Sequence, residues 1–341
     1  MGAMTTVRLR EPYLVLVGDE TDVTYAKTAS GLVHWRRAAV AGQLRFADAA
    51  VDLGVPDMNI EEAVRAGVGS LVVGVAPVGG AVPDAWWQVM REAATAGLDV
   101  VGGLHTKLGD NSELVAAAAA GGARLVDVRV PPAGLPVGNG RKRRGRRVLT
   151  VGTDCAVGKK YTALALHAAM VAAGLNATFR ATGQTGIMIA GEGIPMDAVV
   201  ADFVSGAAET LSPDNDHDHW DVIEGQGSLF HPAYSGVSLG LLHGSQPDAI
   251  VVCHDATRQR VAEWEHFELP TLTDAIAVHE QLARRTNPAA RCIGLSVNTS
   301  VLAGQQRSDY LAGLRERHGI PASDPLIDGC GDFVAALTGP A

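Results

Sequence analysis

The chain has 341 residues, 47% hydrophobic and 19% charged, with a formal net charge of −9. That length exceeds the usual size of one core, so two domains are expected. The negative balance excludes a broad affinity for nucleic acid or anionic lipid, and a small anionic ligand would need a local positive site. No apolar run reaches the roughly 18–20 residues that span a bilayer. No basic segment followed by an apolar one marks a signal peptide. A cytoplasmic location follows as the expectation, with no membrane and no nucleic-acid partner.

The first half repeats one unit. Short runs rich in branched residues, Tyr13 to Val17, Ser70 to Val75, Leu98 to Val101 and Ala123 to Val128, read as strands. Glycine-rich turns close several of them, among them Gly18-Asp19 and Ala76-Pro77-Val78-Gly79-Gly80. Helical patterns lie between, at Ile60 to Ala66, Ala85 to Ala96 and Asn111 to Ala120. The alternation predicts βαβ units on a parallel sheet, a Rossmann-like domain over residues 11–130. No GxGxxG follows the first strand, which argues against a nicotinamide dinucleotide site. His105 and Lys107 follow a strand at Gly102-Gly103 and could meet a substrate.

Residues 131–146 are the expected linker. Pro131 to Gly140 is rich in proline and glycine, and Arg141 to Arg147 has six basic residues in seven. That run reads either as a positive rim for an anion or as a solvated connector.

A second α/β domain is expected over residues 147–338. Its strands are Arg147 to Val151, Ala177 to Ala181, Trp220 to Ile223, Ala249 to Cys253 and Arg291 to Val297, with Ser308 to His318 as the closing helix. Polar residues cluster after each strand, at the sheet edge where open α/β folds bind ligands.

The segment after the first of these strands carries the strongest signal. Gly152, Thr153, Asp154, Cys155, Ala156, Val157, Gly158, Lys159 and Lys160 join a strand to a helical stretch. Small residues let backbone amides converge on phosphate oxygens, the helix N-terminus adds partial positive charge, and Lys159 supplies an ammonium. Lys160, however, stands where a Ser or Thr normally ligates Mg²⁺. Thr162 lies about 200° further round the helix and cannot replace it. Phosphate binding is thus better supported than Mg·ATP hydrolysis.

Other strand ends supply candidates. Glu224 could hold Mg²⁺, accept a proton, or cap a glycine-rich bend; no other metal ligand is expected. Gln226 and Ser228 could hydrogen-bond a substrate. His231, beside Pro232, is a candidate general base or a structural histidine. Arg180 could grip a substrate carboxylate or pair with an acid. Asn298 and Thr299 could face a base or ribose, or simply form a turn. The cysteines Cys155, Cys253, Cys292 and Cys330 lack zinc-ligand and CxxC spacing.

Three stretches together resemble a known family: Gly152 to Lys159, the run from Asp221 to Tyr234, and Asp22 with Ala26 to Ala29. They resemble the two-domain uncharacterised-domain family 1611, over about residues 11–335. The resemblance implies a Rossmann-like domain followed by a P-loop domain. Some members are D-glutamate N-acetyltransferases that use acetyl-CoA and feed an N-acetyl-amino-acid racemase. It therefore implies acetyl-CoA as cofactor and an amino-acid-like substrate, with the loop and the basic linker holding the phosphates and Glu224 or His231 as base. The loop also resembles that of dethiobiotin synthetase, which implies the alternative: an ATP-dependent ligase or small-molecule kinase using ATP with Mg. A non-catalytic nucleotide sensor is a third option. A homo-oligomer, a dimer, is expected by analogy with other P-loop domains.

Overall fold

The computed structural model describes residues 4–75 and 80–339; the expected turn at residues 76–79 lies outside them. The chain divides into two compact units. One comprises Thr5–Val130 with Gln184–Pro195, the other Pro131–Gly183 with the chain from Met196 onward. No helix among the described residues is long and apolar enough to cross a membrane.

The first unit holds five parallel strands: β1 (Tyr13–Gly18), β2 (Val40–Arg45), β3 (Ser70–Val73), β4 (Asp99–Gly102) and β5 (Leu125–Asp127). Their order is β2-β1-β3-β4-β5. Strands β1, β3 and β4 are buried along their whole length, as continuous apolar runs in a covered parallel sheet should be. Strand β2 escaped the sequence reading because Gly42 and Gln43 interrupt its apolar pattern. Gln43 is nevertheless buried: its amide donates to Asp52 and to Val55 O and accepts from Leu53 N. The helix Lys27–Trp35 was also unread.

The second unit is a six-stranded parallel sheet: β6 (Arg146–Gly152), β7 (Ala177–Arg180), β8 (Trp220–Ile223), β9 (Ala249–Asp255), β10 (Arg291–Asn298) and β11 (Ala322–Ser323). The order is β11-β10-β9-β6-β8-β7. Strand β6 lies between β8 and β9, so the chain departs to opposite sides of it. A crevice at the carboxyl end of such a strand is where this architecture takes ligands. Both units carry the parallel α/β layers that the alternating pattern predicts. The helix Ser308 to His318 runs Gly304–His318 but does not close the chain: β11 and the helix Gly331–Thr338 follow it. The segment Gln184–Ala190 is a helix of the first unit.

The basic run divides: Arg141, Lys142, Arg144 and Arg146 are exposed, as in a solvated connector, while Arg143 and Arg147 turn inward. Arg147 is fully buried: Nε donates to Ser212 Oγ, and Nη1 and Nη2 to the carbonyls of Arg143, Arg144 and Pro213. Arg143 donates to Ser212 O and Gly244 O, and burial lowers its pKa to about 10. These guanidiniums satisfy loop carbonyls that no ladder reaches, so they are not available to a ligand's phosphates. Removing Arg147 strands those acceptors in the interior. Arg147→Met should lower unfolding stability by about 3 kcal/mol or more, measured by urea denaturation; a change under about 1 kcal/mol would show the network to be dispensable.

Candidate functional site

Strand β6 ends at Gly152, and the chain turns over residues 153–158 into the helix Lys159–Ala172. Two residues of the turn are left-handed, Ala156 at φ 55° and Gly158 at φ 98°. A Cβ at Gly158 would meet nothing within 4 Å, so glycine serves there for its backbone freedom rather than for space. The result is a concave nest. The amides of Ala156, Val157 and Gly158 donate to no group among the described residues. Two of the amides before them are used: Thr153 N donates to Cys253 O, and Cys155 N to Asp154 Oδ1 at 2.6 Å.

Two of the expected ligand contacts in the loop turn out to be braces. Asp154 is fully buried, and its Oδ2 accepts from Arg258 Nη1 at 3.0 Å and Ala262 N at 2.9 Å. Thr153, also buried, bonds His254 Nδ1 at 3.0 Å. Both point into the protein because the loop must be tied to the neighbouring strand end to hold its shape. Lys159 is buried, and its ammonium donates to Asp154 O at 2.7 Å. Burial lowers its pKa; the neighbouring Cys155, Cys253 and Asp154 oppose that, and Arg258 adds to it. A Cβ at Gly225 would stand 1.8 Å from Thr150 O and 3.0 Å from Lys159 Cδ, so only glycine lets the lysine stem pass. Lys160 is half-buried, with Nζ 5.0 Å above the Tyr161 ring. Thr162 faces the core, bonded to Gly158 O and Ser296 Oγ, well away from any metal position on the loop.

The end of β8 supplies the second wall. Glu224 is buried, and its Oε2 accepts from Thr182 N at 2.9 Å and Gly183 N at 3.1 Å. Its Oε1 takes no hydrogen bond among the described residues. Burial raises its pKa, while the Thr182 and Gly183 amides and the Lys160 charge pull the other way. Gln226 donates to Thr182 Oγ1, and Ser228 Oγ donates to Gly152 O. His231 is buried, stacked on Tyr234 at 4.5 Å between ring centroids and edge-on to Trp264 at 4.6 Å. Its Nδ1 accepts from Ala233 N at 3.1 Å, and burial lowers its pKa. The ring proton therefore sits on Nε2, and the neutral imidazole is a donor there rather than the base expected from sequence.

Three other candidates stand elsewhere. Arg180 is not free to hold a substrate carboxylate: its Nε donates to Asp221 Oδ1 at 2.7 Å, both side chains are buried, and Asp221 also accepts from Ser212 Oγ. It belongs to the same buried network as Arg147. Asn298 binds Asp255 Oδ2 through Nδ2 and Ser300 N through Oδ1, so it closes a turn instead of reaching a ligand. His105 follows β4 in the other unit, exposed.

Sequence reasoning missed Arg258. It follows β9 in the short connection to a hairpin of Arg260–Val261 and Trp264–Glu268. Its Nη1 bridges Asp154 Oδ2 and Cys155 O, and its Nε and Nη2 make no bond among the described residues. Its position after a strand's carboxyl end was a usable signal.

The comparisons with known proteins agree with this geometry. A domain of unknown function described as a P-loop domain, DUF1611_C, matches residues 136–334, and its Rossmann-like partner, DUF1611_N, matches residues 43–131. A D-glutamate N-acetyltransferase of Tritonibacter scottomollicae is 47% identical over 329 residues, 96% of this chain and 99% of that protein. Another, from a Pseudoalteromonas species, is 44% identical over 331 residues, 97% of this chain and 100% of that one. A crystal structure of a DUF1611 family protein from Anabaena variabilis superposes with a TM-score of 0.87 at 33% identity, over 96% of this chain and 99% of its own. A Rossmann-like domain, a P-loop domain and near-complete coverage by these relatives place the chain in the DUF1611 family.

Proposed function

We propose that this protein is an N-acetyltransferase that moves an acetyl group from acetyl-CoA to the amino group of D-glutamate or a close relative. The names of the two curated relatives, over almost the whole chain, support the reaction class. The observation that carries it is local: the amides of residues 156–158, which donate to no group among the described residues, lead into a helix that opens on the buried Lys159, with an acid of raised pKa at the neighbouring strand end. Acyl transfer to an amine needs those parts, a hole for the developing oxyanion and a base for the ammonium proton.

Glu224 is the better base. Its Oε1 is open, and its raised pKa brings a carboxylate closer to the range where it can hold a proton near neutrality. Arg258, with Nε and Nη2 open, replaces Arg180 as the candidate grip on a substrate carboxylate.

Coenzyme A carries its phosphates and its thioester at opposite ends of the pantetheine arm, so one nest serves one end. Cys155 lies in the nest loop and Glu224 beside it, and neither has a task on a phosphate. We assign the thioester end to the nest: its amides receive the acetyl oxygen as it becomes tetrahedral, and Lys159 adds charge. Phosphate holding is the second reading, favoured by the P-loop form itself. It carries the ATP-dependent ligase or kinase alternative with it, but Lys160 and the inward Thr162 leave that alternative without the usual Mg²⁺ hydroxyl.

Purified protein given acetyl-CoA and D-glutamate should release coenzyme A and form N-acetyl-D-glutamate, read by thiol titration and mass spectrometry. Release of ADP from Mg·ATP, with no acetyl transfer, would replace this function with the ligase reading. Lys159→Met separates the two uses of the nest. Thioester use predicts a fall in kcat of about 100-fold with KM for acetyl-CoA little changed; phosphate use predicts a weaker dissociation constant instead.

Glu224 gives a pH test. A base must be ionised, so kcat should rise with pH through a pKa above the ordinary carboxylate range. Because the fold raises that pKa, the protonated form is the one the fold favours, and stability from this group is lost as pH rises from the unfolded to the folded pKa. Glu224→Gln, a neutral mimic, should thus be at least as stable as the parent at pH 8 while kcat falls by about 100-fold or more and the acid limb disappears. Full activity in that variant would remove Glu224 from the reaction.

A further inference from the structure

Cys155 differs from the other thiols. Cys253, Cys292 and Cys330 are buried in the core, and burial pushes Cys292 and Cys330 up to about 12 and raises Cys253 as well. Cys155 is half-buried, in the loop itself, one residue before the unpaired amides. Its Sγ, a ring nitrogen of His231 and a carboxylate oxygen of Asp154 all lie within 4.8 Å of one another.

Those residue types also suit a metal ion, but the surroundings do not. Asp154 already accepts three hydrogen bonds, one from the Arg258 guanidinium, and the Lys159 ammonium is bonded to the Asp154 carbonyl. A dication would meet two fixed positive charges. The same surroundings suit a sulfur anion, which helix N-termini and cationic neighbours favour. Glu224, 3% exposed at the end of the neighbouring strand β8, has an Oε1 that takes no hydrogen bond among the described residues, and the Lys160 charge acts on it.

We propose that Cys155 is a catalytic residue that carries the acetyl group as a thioester between donor and amino acid; this rests on the acetyltransferase reading above. The thiol gives its proton to solvent. Its sulfur then bonds to the acetyl carbonyl carbon while the oxygen, now negative, rests on the amides of residues 156–158. The bond from that carbon to the sulfur of coenzyme A breaks, and coenzyme A leaves as a thiolate. The ammonium of the amino acid next gives one proton to Glu224, and the neutral amine attacks the same carbon. The Cys155 sulfur leaves as a thiolate, and the extra amine proton passes to solvent. One thioester replaces another in the first half, so the enzyme-bound form is close in energy to the donor and can accumulate. His231 cannot take the thiol proton while its Nδ1 holds the Ala233 amide. Packing against Trp264 and Tyr234 holds its ring in place beside the sulfur.

The test is to mix the protein with acetyl-CoA and no amino acid, then record intact mass and map the peptides. The expected result is one acetyl group on the Cys155 peptide with an equal amount of coenzyme A released, discharged on adding D-glutamate. Initial-rate plots should be parallel, and iodoacetamide should label Cys155 alone, with acetyl-CoA protecting it. Cys155→Ala should keep the fold by circular dichroism and lose about 1,000-fold in kcat. Steady turnover with no adduct on Cys155, an adduct on another residue, or a Cys155→Ala variant of parental kcat would each overturn the inference and leave the acetyltransferase reading standing. Neither turnover nor adduct would overturn both.

Discussion

The site depends on one buried carboxylate. Asp154 sits at the bend of the loop with no solvent contact, and it faces away from any ligand. One oxygen takes the amide of the next residue; the other takes a guanidinium and an amide from the hairpin connection after β9. A buried carboxylate left without such donors would be strongly destabilising, so the loop and the hairpin connection are held together by the need to satisfy it. Because the amide of Cys155 is spent on that brace, it is withdrawn from the row that continues through Ala156, Val157 and Gly158. The shape of the nest is thus set from behind, by a group that never touches what the nest receives.

The same logic explains the basic run. Six positive charges next to a phosphate-type loop invite a reading as an anion rim. Arg143 and Arg147 instead go inward and end on carbonyls, because the chain crosses from a proline- and glycine-rich segment into a buried strand and leaves acceptors that no ladder reaches. Arg147, Ser212, Asp221 and Arg180 then form one continuous buried network. Arg180 is part of the scaffold for the same reason that Arg147 is. Arg258, whose Nε and Nη2 make no bond among the described residues, lies in a connection whose length and turn chemistry, unlike the apolar runs, carry little signal in a single sequence.

That contrast marks how far the sequence was legible. Strands such as Tyr13–Gly18 and Trp220–Ile223 are fully buried in parallel sheets, so composition alone betrays them. The strand Val40–Arg45 and the helix Gln184–Ala190 were hidden because polar and small residues there are satisfied by distant partners, as Gln43 is by Asp52, Val55 and Leu53. The loop at Gly152 to Lys160 was plain because its chemistry is local: each amide that faces a ligand belongs to the stretch that forms the motif. Which side chain braces and which reaches outward is decided across the sheet, and for Thr153, Asp154, Arg180 and Asn298 that decision went to the protein.

Lys160 ties these threads to the chemistry. A loop of this form ordinarily pairs its lysine with a hydroxyl so that Mg²⁺ can share the charge of a polyphosphate. Here the next side chain is itself a cation, Thr162 is turned to Ser296, and Arg258 approaches from the hairpin. The positive charge is supplied by fixed protein groups. A fixed field of that kind suits an anion that forms and vanishes within one turnover, because it costs no reorganisation when the charge appears. Lys159, Lys160 and Arg258 bring three cations of a chain of net charge −9 to this loop, where the proposed reaction forms a tetrahedral oxygen and a sulfur anion. The loop keeps the backbone of a phosphate site and has side chains better matched to acyl transfer.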